Sequence, residues 1–166
     1  MWSEFGLVRG VKFAAVIATS LTLAACASQQ DNAGVGGAGG AGAATPGSQQ
    51  DFVVNVGDRV FFTVDSSELT TEARGTLDRQ AAWLAKYPRY TVTVEGHADE
   101  RGTREYNIAL GARRGTAARD YLISRGVAST RLKTISYGKE RPVAVCDAEN
   151  CWNQNRRAVT VLNGSN

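Results

Sequence analysis

The chain is poor in the side chains from which most active centres are built. Its 166 residues hold one histidine, His97, and three cysteines. Two cysteines and a lone histidine do not make a zinc pattern. A hydrolase would need a nucleophile with an adjacent base or a metal, and the sequence supplies neither, so no enzymatic activity is expected. Long apolar runs are missing as well: the stretch from Phe13 to Leu23 is too short to span a bilayer comfortably. Nor does one sign of charge dominate. There are 19 basic and 16 acidic residues, and loss of the first 25 residues would remove Arg9, Lys12 and Glu4 and leave the rest near neutrality. No nucleic-acid partner is expected of such a chain.

The order at the start is basic (Arg9, Lys12), then apolar, then the small residues Leu23-Ala24-Ala25 before Cys26, which is the order of a secretory signal. The small residues before a cysteine resemble the lipobox of bacterial lipoproteins. That resemblance implies that residues 1–25 are a cleaved leader and that Cys26 carries a diacylglycerol and an N-acyl chain, with no other cofactor. The alternative is an ordinary signal with an incidental cysteine. By resemblance to enterobacterial sorting, Ala27 after the cysteine favours the outer membrane over the inner. Residues 26–50, rich in glycine and alanine, contain almost nothing to bury and read as a flexible tether, with an end-to-end distance of about 25–30 Å. Residues 51–166 amount to one domain. Within it Cys146 and Cys151 flank Asp-Ala-Glu-Asn. In an oxidising compartment they are expected to form a disulfide closing a short loop; a metal site is the sharper alternative.

Period-two alternation marks a strand at Arg59 to Val64, at or near a sheet edge. Ala73, Leu77, Ala81 and Leu84 follow at helical spacing, with Thr70 as cap and Pro88 as stop, so a helix is expected over about Thr71 to Tyr87. Tyr90, Val92 and Val94 alternate with Thr91, Thr93 and Glu95 in a second strand ending at Gly96. A second helix starts near Thr103 and ends at Arg125-Gly126, where glycine supplies the left-handed residue. Leu132 to Tyr137 and Arg157 to Leu162 complete four strands. Strands alternating with helices imply a layered α/β domain with helices on one face of a small sheet, without fixing the strand order.

Placed on the second helix, Leu110, Ala117, Ala118, Tyr121 and Leu122 collect on one side, as a core stripe should. Asn107 and Arg114 fall in the same stripe. A charge there must find a partner or face a cleft, and Asp99, directly after a strand, is the local candidate. Gly111 between them is read as leaving an open surface. A carboxylate on one side and a planar five-donor cation on the other suit a zwitterion, ammonium to Asp99 and carboxylate to Arg114. A purely structural salt bridge is the alternative. His97 is read as a structural residue hydrogen-bonded at a strand end, and Trp83 and Trp152 as packing residues.

Gly96-His97-Ala98-Asp99-Glu100-Arg101-Gly102-Thr103, Glu105-Tyr106-Asn107-Ile108, Leu110-Gly111 with Arg113-Arg114, Ser136-Tyr137-Gly138-Lys139-Glu140 and Asn155-Arg156-Arg157-Ala158-Val159 together resemble the peptidoglycan-associated lipoproteins, within the OmpA-like peptidoglycan-binding domains. The resemblance covers most of residues 58–163. It implies an α/β (α+β sandwich) fold with a mixed four-stranded sheet, and non-covalent binding of the meso-diaminopimelate of peptidoglycan stem peptides. Carried over by position, the ligand contacts fall on Asp65, Ser66, Asp99, Arg101, Leu110 and Arg114. The segment Phe61 to Asp65 departs from the family's more acidic pattern, as does the cysteine pair from the best-known sequences. Glu100, Tyr137, Lys139 and Glu140 fall where the family docks TolB. The implied partners are peptidoglycan, outer-membrane lipid, TolB and other Tol proteins, with a role in envelope integrity and cell division. An OmpA-like lipoprotein anchoring another envelope machine, for secretion or efflux, would carry the same wall site with a different partner surface.

Overall fold

A computed structural model of the chain describes residues 44–164. The expected leader, Cys26 with its expected lipid and most of the glycine-rich segment lie outside the described residues.

Val92 and Val94 point one way and Thr93 and Glu95 the other, and the alternation resolves into one buried and one half-exposed face of strand β2 (Thr91–His97). Beside it run β1 (Arg59–Phe61), β3 (Leu132–Gly138) and β4 (Arg157–Asn163). The sheet order is β1-β4-β2-β3. β1 and β2 both pair antiparallel with β4, and β2 pairs parallel with β3, so the sheet is mixed and β1 is an edge. Helices α2 (Thr71–Lys86) and α3 (Arg104–Ser124) supply the facing layer. Leu77, Leu84, Ala118 and Leu122 pack against Val92, Val94, Ala158 and Leu162 in the core.

The cap expected at Thr70 is in place, and Thr103, where the second helix is expected to start, caps it. Thr70 accepts from the Ala73 amide and Thr103 from the Tyr106 amide. Gly126 ends α3 with φ +95°, the left-handed conformation that lets its amide return to Ile123 and that of Val127 to Leu122.

Two short helical pieces carry no apolar periodicity and were invisible to pattern reading. The first is α1 (Gln49–Asp51), which runs into a π-type turn, Phe52–Val56. It lies across the boundary expected at residue 50. The Gly47 carbonyl accepts from the Tyr90 hydroxyl at 2.8 Å and from Arg89, Asp51 accepts from the Trp83 indole at 2.8 Å, and Phe52 is buried edge-on against Trp83. Gly47 and Ser48, within the expected tether, are held by polar contacts that composition does not reveal. The second piece is α4 (Glu149–Asn155), with only Cys151 and Asn155 buried. Its first turn is closed by the Cys146–Cys151 disulfide, as expected. Its last residue, Asn155, binds the Val143 and Ala144 amides and the Ala144 carbonyl.

Gly111 does not open a surface. It is buried, and a Cβ there would sit 2.5 Å from the Ser136 hydroxyl and 2.9 Å from the Gly96 carbonyl; one on Gly96 would come within 1.8 Å of the Gly111 carbonyl. These glycines let α3 lie directly on β2. Gly111→Ala should therefore destabilise the fold by about 1–3 kcal/mol or more in urea unfolding. Gly75→Ala, inside α2 with nothing within 4 Å of the new methyl, should stabilise it by about 0.5–1 kcal/mol. Equal effects at the two positions would contradict the close-approach account.

Candidate functional site

β2 ends at His97 and the chain passes through Ala98 and Asp99 into a short loop that α3 follows, so Asp99 is fixed by the sheet on one side and by a helix start on the other. Its carboxylate is mostly buried. The Arg101 backbone amide donates to Oδ1 at 3.2 Å and the Arg101 guanidinium to Oδ2 at 2.7 Å. Arg156 donates to Oδ2 at 3.2 Å from inside the protein. Burial pushes Asp99 toward a higher pKa, but the hydrogen bonds from Arg101 and Arg156 outweigh it and hold the carboxyl below its ordinary value. Asp99 is a carboxylate at neutral pH.

Arg114 is fully buried, and its partners are carbonyls. Nε donates to Ser66 O at 2.8 Å, Nη1 to His97 O at 2.9 Å and Nη2 to Thr63 O at 3.1 Å. Burial lowers its pKa to about 10, with the Asp99 charge acting in the opposite sense, so it remains protonated at pH 7. The expected arrangement, Arg114 open to the site as a two-pronged receptor, is corrected. Charge on a core-facing stripe had to be satisfied, and the backbone after β1 reaches it first. Arg114 thereby ties Thr63 and Ser66 to the end of β2.

Above this layer lies a cavity of about 280 Å³, lined by Val64, Asp65, Asp99, Arg101, Tyr106, Asn107 and Leu110. Four of the six expected contacts thus share one wall: Asp65, Asp99, Arg101 and Leu110. Ser66 contributes its carbonyl to Arg114, while its hydroxyl accepts from the Glu68 amide. Asp65 adopts φ +55°, in the left-handed region, and accepts from the Tyr106 hydroxyl. Asn107 donates to the Arg101 carbonyl at 2.7 Å, holding the loop that presents Arg101.

Sequence reading missed Arg156. It is buried, donates to Asp99, to Phe62 O at 3.2 Å and to Glu149. The signal was present as two adjacent arginines opening an apolar strand, where charge requires a partner. His97 is also corrected: neither ring nitrogen has a hydrogen-bond partner, and the ring lies 5.6 Å from that of Tyr137. Trp152 is more than packing, since the Arg101 guanidinium lies over its ring at 4.1 Å and its indole donates to Glu100 at 2.9 Å. The expected partner surface is knitted internally. Lys139 donates to the Glu100 and Gly102 carbonyls, Glu140 pairs with Arg104 at 3.1 Å, and Arg141 covers Tyr137 at 3.6 Å. Among the described residues no group of three or more His, Cys, Asp or Glu could hold a metal ion.

The OmpA family matches residues 61–157. The peptidoglycan-associated lipoprotein of Rhizobium meliloti is 67% identical over 150 residues, which is 88% of this chain and 84% of that protein. The chain belongs to the OmpA family and, within it, to the peptidoglycan-associated lipoproteins. The Brucella melitensis member is 64% identical over 149 residues, covering 88% of each chain. The crystal structure of the Burkholderia pseudomallei peptidoglycan-associated lipoprotein superposes with a TM-score of 0.62 at 39% identity, covering 64% of this chain and 90% of that one. The relatives it matches are named as lipoproteins associated with peptidoglycan and not as enzymes.

Two outcomes follow from the site. Arg114→Ala leaves three carbonyls unpaired and should cost about 3–5 kcal/mol of stability in urea unfolding; a variant as stable as the parent would contradict the clamp. Burial, then the charges of Arg157 and Arg141, lower the His97 pKa to about 4. The unfolded chain therefore binds more protons than the folded one between pH about 6.5 and about 4, and stability falls as pH drops through that window, by about 3 kcal/mol in all. His97→Gln should flatten this fall, and an unchanged fall in that variant would contradict it.

Proposed function

We propose that the chain is an outer-membrane lipoprotein that grips peptidoglycan without covalent chemistry and so tethers membrane to wall. Support for the wall-binding part comes from one observation above all: the cavity has acid and base on its walls, in a family whose members are named for peptidoglycan association. The ligand we assign is the free amino-acid end of meso-diaminopimelate in a stem peptide. Its ammonium meets Asp99 and Asp65, its carboxylate meets Arg101, and its methylenes lie along Leu110 and Val64. Ser66 and Arg114 act from beneath, the first through its carbonyl and the second through its charge and by holding the wall of the cavity in place. Lysine-type peptidoglycan lacks the second carboxylate and leaves Arg101 without its partner.

Three acyl groups on Cys26 would anchor one end firmly, where a single chain anchors weakly, and residues 27–43 would span the gap. We assign the chain to the Tol-Pal system, with TolB docking on the side of Glu100, Tyr137, Lys139 and Glu140, and with a part in envelope constriction during cell division. A pull-down against TolB tests this and separates it from service to a secretion or efflux machine.

The wall-binding part is tested by co-sedimentation of the full chain in detergent with purified sacculi. Diaminopimelate-type sacculi should retain it and lysine-type sacculi should not. Asp99→Asn should lose about 2–5 kcal/mol of binding, because Arg101 and the ligand ammonium both lose their anion. Equal retention by the two wall types, or by the variant and the parent, would contradict the assignment.

A further inference from the structure

Among the described residues Arg101 is the one cation that lines the cavity, and a long exposed side chain there has many rotamers to choose from. Three contacts remove that choice. One edge of the guanidinium lies on Asp99 at 2.7 Å. Its face lies over the Trp152 ring, 4.1 Å from the centroid. The ring itself is oriented by its indole N–H, which donates to Glu100 at 2.9 Å, so the residue before Arg101 fixes the plane on which Arg101 rests. Trp152 in turn has little freedom. It sits in α4 directly after Cys151, whose disulfide to Cys146 closes the first turn, and Asn155 pins the last turn to Val143 and Ala144. Arg156, the other donor to Asp99, follows immediately at the end of the same helix.

We propose that Trp152 is a positioning residue of the binding site, holding the Arg101 guanidinium on Asp99 so that the cavity wall is set before a ligand arrives. Glu100, Arg101 and Trp152 form a stack whose base is the short disulfide-closed helix. Its consequence is that Trp152, which does not line the cavity, sets the affinity of a ligand carboxylate that Arg101 receives. A guanidinium held face-on by an aromatic ring, with its Nε/Nη2 edge on Asp99, keeps its remaining N–H groups free for a carboxylate, so the ring's contribution acts through geometry.

The inference rests on the ligand reading above, and two readouts on the full chain in detergent micelles keep the two apart. The first needs no ligand. The Arg101 δ-methylene resonance, assigned by its loss in Arg101→Ala, should lie upfield in the parent through the ring current of the indole beneath the guanidinium and return to the free-arginine position in Trp152→Ala; the same position in both would overturn the proposal. The second is binding of a tripeptide ending in meso-diaminopimelate. Trp152→Ala should weaken it about tenfold, and Trp152→Phe, which keeps the ring face, should restore most of that loss. In an Arg101→Ala background Trp152→Ala should cost nothing further, because its effect passes through Arg101. Additive losses, or failure of the phenylalanine variant to recover binding while folded, would overturn the proposal. A parent that shows the upfield resonance but does not bind the tripeptide would sink the ligand reading and leave the positioning role standing.

Discussion

The structure depends on how it accommodates a guanidinium in its core. Arg114 sits on the apolar stripe of α3 with no solvent contact, and three carbonyls, from Thr63, Ser66 and His97, share its charge. An isolated buried cation would be untenable. Distributed over three backbone dipoles from two separate segments, it becomes the tie that fixes the turn after β1 against the end of β2. The glycine contact between Gly96 and Gly111 makes this possible, because it brings the helix close enough for Arg114 to reach the His97 carbonyl.

From that tie the site follows outward. The turn held by Arg114 carries Asp65, the strand end carries Asp99, and the loop after it carries Arg101. Asp99 is flanked by Arg101 and Arg156, so the cavity has an anion backed by two cations, with a third beneath. Such an arrangement keeps every charge partnered in the free protein and still leaves Asp99, Asp65 and Arg101 on the cavity wall. On the proposed ligand reading, preorganised charge of this kind would receive a zwitterion without loop ordering at the moment of binding. It needs no nucleophile and no metal, in keeping with a family that binds and does not catalyse.

Much of this was legible in the sequence. Alternation in β2, helical spacing in α2 and α3, the Thr70 cap, the helix start near Thr103 and the Gly126 stop all rest on local rules that tertiary contacts did not override. Asp99, Arg101 and Leu110 were reachable through the ordered motifs, and Asp65 only by position in a segment that departs from the family's pattern. What stayed hidden were interactions with backbone atoms, which have no sequence signature. Arg114 was expected to seek a carboxylate and found carbonyls instead. Gly111 was read as open space and is the point of closest approach. Gly47 and Ser48 looked like tether because what holds them is a backbone carbonyl and a capping hydroxyl, which composition does not show. α4 has too few buried residues to leave a periodic trace, and with it went the roles of Trp152 and Arg156.

The most direct test of the account is a crystal structure of the chain bound to a stem peptide containing meso-diaminopimelate. The account predicts the free amino-acid end of that residue inside the cavity, its ammonium within hydrogen-bond distance of Asp99 and its carboxylate on Arg101, with Arg114 still holding the Thr63 and Ser66 carbonyls. A peptide seated elsewhere on the domain, or in the cavity with its ammonium away from Asp99, would contradict it.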